Sequence, residues 1–294
     1  IVLEQATVWA RDAGEYLRKG LAARDQFRGH PRVSMIFAPH APYTVADDSF
    51  REIRLLANEL DTQIHMHVHE TASEISASQK RHARRPLQRL DELGLLTPLL
   101  AAVHMTQLTA GEIPLLASRG VSVVHCPESN LKLASGFCPI ADLAAAGINI
   151  ALGTDGASSN NDLDMFGEMR SCALLAKGVA QRADAAPAAT VLGMATLNGA
   201  KALGLGDRIG SLVTGKEADV ICVDLSAAAT QPVYDPVSQL VYATSRDQVS
   251  DAWVAGRHLL ADHQPLLADA PAILARAEAW RARLSAARRS LAHD

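Results

Sequence analysis

The sequence lacks several features that mark common classes of protein. Its 294 residues include only four cysteines, which are far apart and form no CxxC pair. A disulfide framework and a cysteine-based zinc site are therefore excluded, and we expect reduced thiols in a cytoplasmic protein. No apolar run approaches the ~18 residues needed to cross a bilayer, which argues against an integral membrane protein.

An excess of positive charge is also missing. Lys and Arg together number 28 against 32 Asp and Glu, so the net charge is −4, and the basic residues are scattered. This pattern argues against nucleic acid or an anionic membrane as a partner. The opening residues, IVLEQATVWARDAGEYL, have no basic region followed by a long apolar core, so we predict no signal peptide. They also lack an initiator Met, which indicates that the natural start lies upstream.

Short apolar runs alternate with helical patterns, which is typical of a parallel α/β fold. The predicted strands cover 33–40, 63–70, 101–105, 121–127 and 148–156. The predicted helices cover 12–28, 46–60, 109–119 and 139–146, with Asp47 or Asp48 as the N-cap of the second. Because the strands are apolar nearly throughout, we expect them to be buried on both faces of the sheet.

The pattern changes in the last third of the chain. After a helical stretch to about residue 203, short strands with Gly-containing turns are predicted within 208–225, 239–244 and 249–260. A final amphipathic helix is predicted over 271–291, with apolar residues at spacings of three and four. The expected division is a barrel segment over 1–205, part of a small β-domain over 206–262 and a helical segment over 263–294.

Polar residues follow the carboxyl ends of successive predicted strands. They are His40, His67 with Glu70, His104, His125 and Asp155. Functional groups at many strand ends are typical of a (β/α)8 barrel, whereas an open sheet concentrates its site at one switch point. No Gly-rich fingerprint follows any strand, which argues against dinucleotide binding. We therefore predict an α/β fold built on a (β/α)8 barrel.

The strand HMHVHE carries three histidines at alternate positions. The side-chain period of two predicts that His65, His67 and His69 share one face. A single buried histidine is most often a hydrogen-bonded core residue, but three imidazoles on an apolar strand need partners or a metal ion. His67 and Glu70 would place a ligand at the strand end and a carboxylate just beyond it.

Asp155 ends an apolar strand and stands between Thr and Gly in the motif GTDG. An isolated buried carboxylate is costly, so the residue is compatible with an Asx-type turn or with a metal ligand. Together with His67 and His104 on other strands, the metal ligand is favoured, and His with Asp suits Zn²⁺ or Fe²⁺. His104 itself is compatible with a core histidine or a general acid/base, and His40, in a Pro-bracketed loop, with a structural or substrate-binding role.

These residues and their surrounding motifs resemble those of the amidohydrolase superfamily. The likeness is closest to its branch of 5′-methylthioadenosine/S-adenosylhomocysteine deaminases and triazine (TRZ/ATZ) hydrolases, and it extends from about residue 14 to residue 260. The segments that carry it read APHAPYT, HMHVHET, AAVHMTQLT, VVHCPESNLKLASG, ALGTDGASSNNDLDMFGEMR, MATLNGAKALG and IGSLVTGKEADVICVDL.

The resemblance implies a (β/α)8 barrel with one divalent metal ion at its mouth and a small β-sandwich beside it. It makes His67 the metal ligand from the fifth strand and Asp155 the ligand from the eighth. Glu70 would be the proton shuttle, and His104 would orient the water and the reacting group. His40, Glu70 and Asp155 would contact the substrate.

One departure from the family pattern stands out. The family has a His-x-His pair after its first strand, but the only such pairs here, His65/His67 and His67/His69, belong to the later strand. Three βα units, about 90 residues at ~30 residues per unit, are missing. We therefore expect strands four to eight and part of the sandwich in this chain, the remainder lying in a longer polypeptide. His67 and Asp155 are two ligands, whereas a catalytic zinc normally has three from the protein.

The activity implied by the resemblance is hydrolytic removal of the 6-amino group of an adenosine-type nucleoside, with zinc, or alternatively Fe²⁺, as the cofactor. Asp155 would accept a proton from the water, and Glu70 would carry a proton to the ring nitrogen beside the reacting carbon. A homodimer or higher homo-oligomer is expected. The alternatives are hydrolysis of another heterocycle, such as a chlorotriazine or guanine, and an inactive fragment that serves as a structural subunit.

Overall fold

A computed structural model describes residues 1–291 of the chain. A four-stranded parallel β-sheet is the element around which the helices of the first half pack. Four strands follow one another in chain order, each paired with the next. They are β1 (Ile64–Val68), β2 (Leu100–His104), β3 (Ser122–His125) and β4 (Ile150–Leu152). All three pairings are parallel, so the carboxyl ends of the strands meet at one edge, and four of the predicted strands are confirmed.

Helices fill the crossovers that parallel strands require. Those in the first half of the chain are α1 (Ala13–Gln26), α2 (Asp47–Glu59), α3 (Ala72–His82), α4 (Pro86–Glu92), α5 (Glu112–Arg119), α6 (Pro127–Lys132) and α7 (Ile140–Ala145). Those in the second half are α8 (Ala157–Asn160), α9 (Met165–Ala180), α10 (Ala188–Ala195), α11 (Leu197–Ala202), α12 (Pro236–Tyr242) and α13 (Ala270–Leu291).

The sheet is buried on both faces, as its apolar strands predicted. One face packs against the helices in a large core that includes the fully buried Phe50, Ile53, Leu90 and Leu116. The opposite face carries a separate, smaller cluster. Its members are Ala101, Val103, Val124, Cys126, Ala151 and Ala202. The strand period of two separates these small side chains from their larger neighbours on the helix-covered face.

The strand predicted over 33–40 is not a regular strand. The chain makes only isolated parallel bridges there, at Phe37 and at Pro39. Proline has no N–H to donate, which limits the ladder. The segment still runs beside β1, because the carbonyl of His40 accepts the N–H of His67 at 3.3 Å. The prediction was wrong about regular structure, but His40 reaches the same edge as the ends of the strands.

The predicted N-cap of α2 was also wrong. The helix begins at Asp47 itself, and Ala46 occupies the N-cap position. The carboxylate of Asp47 instead accepts a hydrogen bond from Nε of Arg89 at 2.8 Å. Because the Arg89 guanidinium is almost wholly buried, it requires a charged partner, and this requirement decides the role of Asp47.

A second sheet, antiparallel, follows the helical region. Its strands are β5 (Val220–Val223), β6 (Val249–Val254), β7 (Arg257–Ala261) and β8 (Gln264–Pro265), paired in that order. The strand suggested for 239–244 is wrong, since residues 239–242 belong to α12 and the next two form no strand. Asp235 caps this helix by accepting the N–H of Val237 at 2.9 Å, and Pro236 stands at its first position.

The last helix, α13, confirms the helix predicted over 271–291. Its apolar residues do not form a buried face, however, because Ile273, Trp280 and Leu284 are all exposed. The side chains of Ala287 and Leu291, also assigned to that face, lie outside the described residues. Among the helices described, none combines the length and apolar character needed to cross a bilayer.

Candidate active site

Residues predicted from the ends of four strands lie at the carboxyl edge of the parallel sheet. The rings of His67 on β1 and His104 at the end of β2 stack with their centroids 5.5 Å apart. The ring of His40 meets that of His67 edge-on, with centroids 5.1 Å apart. Glu70 and Asp155 lie near enough to His104 to oppose the lowering of its pKa. The rings of His40, His67 and His104 therefore form one cluster, and the charges of Glu70 and Asp155 lie close enough to act on His104.

A single hydrogen bond decides the chemistry of His67. Its Nδ1 lies 2.6 Å from the carbonyl oxygen of His40. Because a carbonyl can only accept, Nδ1 must carry the proton, and Nε2 then carries the lone pair. A backbone carbonyl that orients a histidine in this way is the usual support of an imidazole metal ligand. The ring is thus held in the tautomer that can bind a metal ion through Nε2.

His104 is almost completely buried at the end of β2. Its Nδ1 lies 2.8 Å from Oδ1 of Asn130, so Nδ1 donates and Nε2 is left as an acceptor. Burial lowers the pKa of His104, and this effect outweighs Glu70, Asn130 and Asp155, which raise the pKa. The ring is therefore neutral at neutral pH and can accept a hydrogen bond from a water molecule or a substrate.

Asp155 is held by three donors. Oδ2 accepts hydrogen bonds from the hydroxyls of Ser129 at 2.7 Å and Ser159 at 2.8 Å, and Oδ1 accepts the N–H of Gly156 at 2.7 Å. Partial burial raises the pKa of this carboxyl, but the hydrogen bonds outweigh it and the pKa is lowered. The residue is exposed at the edge of the sheet, not buried as the sequence suggested, and it is anionic at neutral pH.

The backbone is strained at the strand ends that carry these residues. His104 has φ 78°, Asp155 has φ 60° and His69 has φ 54°, all in the left-handed region that favours glycine. Such conformations cost on the order of 1–3 kcal/mol each and occur most often at functional sites. In this chain the same conformation also occurs away from the cluster, for example at Ala83 and Gln181.

The predicted common face of three histidines on β1 is wrong for His69. The strand ends at Val68, and the left-handed turn directs the fully buried His69 away from the cluster. Its Nε2 accepts the N–H of Leu87 at 3.2 Å. Burial lowers the pKa of His69 to about 4. His69 is therefore a neutral core histidine.

Two further histidines lie close to the cluster. His65 is half-buried, and burial first, then His67 and His104, lower its pKa. His125, at the end of β3, is buried, and burial lowers its pKa to about 3. Both rings are neutral at neutral pH, and among the described residues neither has a hydrogen-bond partner that fixes its tautomer as the His40 carbonyl does for His67.

Several residues that shape the site were missed or left undecided by the sequence. Ser129 and Asn130, in α6, hold Asp155 and His104 respectively. Thr44 was missed, although its Oγ1 lies 3.0 Å from Nδ1 of His40. Ser159 was missed as well, although its position four residues after Asp155, at the start of a helix, would have been a usable signal.

The donor set fits a zinc ion in its chemistry. His67 offers an oriented imidazole nitrogen and Asp155 an anionic oxygen, both of which are common zinc ligands. Among residues 1–291, however, no group of three or more His, Cys, Asp or Glu side chains is arranged to enclose a metal ion. The described residues therefore do not form a complete set of metal ligands.

Comparison with known proteins establishes the family. Residues 11–259 match the amidohydrolase family, and the chain belongs to it. The chain is 54% identical over 259 residues to the 5-methylthioadenosine/S-adenosylhomocysteine deaminase of Teredinibacter turnerae, covering 88% of this chain and 59% of that protein. It thus spans less than two thirds of the length of this relative.

Solved structures give the same picture. An adenosine deaminase from Xanthomonas campestris, with bound zinc, superposes with a TM-score of 0.95 at 54% identity, covering 97% of this chain and 65% of that one. A mutant of atrazine chlorohydrolase TrzN from Arthrobacter aurescens, complexed with zinc and atraton, superposes with a TM-score of 0.87 at 25% identity, covering 92% of this chain and 60% of that one. The resemblance to both branches is confirmed.

Proposed function

We propose that this chain carries much of the active site of a metal-dependent deaminase, which releases ammonia from the 6-amino group of adenosine-type nucleosides. The observation that carries the proposal is the cluster of His67, His104, Glu70 and Asp155 at one sheet edge, with the protonation of both rings set by hydrogen bonds. The names of the similar proteins support adenosine, 5′-methylthioadenosine and S-adenosylhomocysteine as the substrate class.

The fold we propose for the complete protein is a (β/α)8 barrel with an accessory β-sandwich. The four parallel strands and the segment at 37–40 would be five successive barrel strands, with the cluster of small side chains facing the barrel interior. The greater length of the relatives leaves room for three more βα units and for further sandwich strands. A cytoplasmic location and a homo-oligomeric state remain predictions.

His67, through Nε2, and Asp155 would hold the metal ion, and zinc is the ion that fits them best. A bound zinc ion would lower the pKa of its water to about 7 and so supply a nucleophile at neutral pH. The ligands that complete the site would come from a His-x-His pair elsewhere in the polypeptide.

The other side chains have separate tasks. Asp155, anionic and held by three donors, would accept a proton from the attacking water. Glu70 would deliver a proton to the ring nitrogen beside the reacting carbon, which makes that carbon more electrophilic. His104, neutral at Nε2, would orient the water through a hydrogen bond. His40, fixed by Thr44, would contact the substrate from the loop beside β1.

An absorbance assay tests this proposal. Adenosine, 5′-methylthioadenosine and S-adenosylhomocysteine are each mixed with the zinc-loaded complete polypeptide, which includes the proposed His-x-His pair, and the conversion of adenine to hypoxanthine is followed in the ultraviolet. We expect turnover of at least one of them. A protein that acts on none of the three but hydrolyses a chlorotriazine or guanine would overturn the substrate assignment.

The atrazine chlorohydrolase neighbour makes a triazine the second candidate substrate. A carboxylate three residues after the metal ligand could protonate a triazine nitrogen as readily as a purine nitrogen. The sequence identity of 54% to the deaminases against 25% to the chlorohydrolase favours the purine.

A further inference from the structure

We propose that Glu74 and Thr106 are positioning residues that clamp the backbone on both sides of Glu70 and so aim its carboxylate at the substrate. The proposal rests on the role of Glu70 in the proposed function. Neither residue would touch the substrate, because both are buried beneath the turn that follows β1.

Glu74 holds the N–H groups of this turn. One oxygen, Oε1, accepts the N–H of His69 at 3.0 Å, and the other, Oε2, accepts the N–H of Glu70 at 2.7 Å. Glu74 is only 4% exposed, so these hydrogen bonds are shielded from water. The helix that carries Glu74 has its own cap, since the N–H of Glu74 donates to Oγ1 of Thr71. The carboxylate is therefore directed at the turn before the helix.

Thr106 holds the carbonyl side of the same turn. Its Oγ1 lies 2.6 Å from the carbonyl oxygen of Glu70, the shortest contact among its acceptors. Nε2 of Gln107 donates to this hydroxyl at 3.0 Å, so the single hydroxyl proton is available for Glu70. The N–H of Thr106 also donates to the carbonyl of His69 at 3.0 Å. Glu70 thus has both of its backbone polar groups bound by buried side chains.

The clamp is needed because the turn is strained. His69 has φ 54°, and a residue with a side chain adopts this conformation only where its surroundings enforce it. Without Glu74 or Thr106, the peptide between His69 and Glu70 could rotate towards a relaxed conformation and carry the Glu70 side chain with it. A displacement of about 1 Å at a reacting group can cost on the order of 10²-fold in rate.

The test compares Glu74→Gln, Thr106→Val and Thr106→Ser in the zinc-loaded complete polypeptide. Glutamine keeps the shape of Glu74 but places an amide NH2 against one of the two N–H donors. Serine keeps the hydroxyl that valine lacks. The matched control is Ser78→Ala, on the same helix as Glu74. It removes the hydrogen bond from Ser78 to the carbonyl of Arg84, beyond the end of that helix, without touching the turn.

We expect Glu74→Gln and Thr106→Val to lower kcat by about 10- to 100-fold, with KM changed by less than about threefold and the zinc content unchanged. Thr106→Ser should keep nearly normal kcat, and Ser78→Ala should lose thermal stability but not kcat. Hydrogen exchange should show faster exchange of the His69 and Glu70 amides in Glu74→Gln than in the unaltered protein.

Two results would overturn the proposal. Normal kcat in both Glu74→Gln and Thr106→Val would show that the clamp does not position Glu70, and unchanged amide exchange would show that there is no clamp. Should Glu74→Gln fail to fold, the pair Thr106→Val and Thr106→Ser decides the question. If the unaltered protein deaminates no purine, the proposed function fails, whereas the exchange rates still decide whether the clamp exists.

Discussion

Single hydrogen bonds determine what each residue of the site can do. The His40 carbonyl sets the tautomer of His67, the amide of Asn130 sets that of His104, and two hydroxyls with one N–H keep Asp155 anionic. None of these supporting groups is a titrating residue. The hydrogen bonds therefore fix which ring nitrogen of His67 and of His104 is left free to accept a hydrogen bond.

A first prediction concerns the role of Glu70 in proton transfer. Glu70→Gln keeps the size of the side chain but cannot donate or accept a proton in the same way, and Glu70 is not a proposed metal ligand. We expect an unchanged zinc content and a loss of at least ~10²-fold in kcat, measured by the absorbance assay and by metal analysis. Near-normal turnover with zinc retained would remove Glu70 from the mechanism.

A second prediction concerns Ser159. Ser159→Ala removes one of the hydroxyls that orient Asp155, and the loss of such a supporting bond typically weakens metal binding by about 10- to 100-fold. Competition with a zinc chelator would measure the change. Ser158→Ala, which alters the exposed neighbour on the same short helix, is the matched control and should bind zinc normally. Equal affinities in the two variants would contradict the supporting role of Ser159.

At the scale of elements, helix α9 supports the loops that carry the site. Its fully buried Glu168 accepts the side-chain amide of Asn160 at 2.6 Å and the N–H of Glu128 at 3.2 Å. Glu128 lies in α6, immediately before Ser129, the residue that holds Asp155. Glu168 thus joins α6, α8 and α9 around one carboxyl group.

This carboxyl should make stability depend on pH. Burial, followed by the charges of Glu128 and Asp162, raises the pKa of Glu168 to about 8. A group whose pKa is raised by folding contributes stability at low pH that is lost as the pH rises through the folded pKa. Relative to Glu168→Gln, which cannot ionise, the unaltered protein should lose thermal stability between pH 6 and pH 9.

Melting temperatures of both proteins across this pH range would check the sign of the effect. Glu168→Gln is expected to be the less stable at pH 6, because glutamine lacks one of the two acceptors, and the difference should shrink or reverse by pH 9. Glu52→Gln, at an exposed position on α2, is the control and should run parallel to the unaltered protein. Parallel curves for Glu168→Gln would contradict the raised pKa.

At the scale of the whole molecule, the described residues leave apolar surface uncovered. A cavity of about 570 Å³ lies between β5 and helices α9 to α11, lined by side chains such as Met169, Leu212 and Ile221. Leu212 is 81% exposed and Ile221 is 53% exposed. Uncovered apolar surface and unpaired strand edges favour association between chains.

This surface leads to a prediction about the 294 residues expressed by themselves. We expect a poorly soluble protein with much less than one zinc ion per chain and no deaminase activity, because two ligands hold zinc weakly. Sedimentation, metal analysis and the absorbance assay would measure the three properties. Polypeptide that supplies a His-x-His pair and further strands should restore all of them together. A soluble, zinc-loaded and active chain of 294 residues would contradict the proposed barrel and its strand numbering.

Local sequence patterns were enough to predict the parallel order of the strands and the residues at their ends. Short apolar runs alternating with helical patterns favour strands buried on both faces, and parallel strands bring their carboxyl ends to one edge, which is where His67, His104 and Asp155 were expected. The side-chain period of two also correctly predicted that His65 and His67 lie on the same face of β1. These conclusions depend on local sequence patterns, which do not require contacts between residues distant in the sequence.

Which polar residues lie in the candidate site and which lie in the core depends on tertiary contacts. His69 continues the alternation of β1 in the sequence. A left-handed backbone conformation turns its side chain into the core instead, where Nε2 accepts the N–H of Leu87. Asp47 follows the rules for an N-cap, but the buried guanidinium of Arg89, 42 residues away, binds it instead. Glu74 and Thr106 meet at Glu70 only when β1 and β2 pair. Each outcome depends on a partner that is distant in sequence, and no local pattern specifies where such a partner will lie.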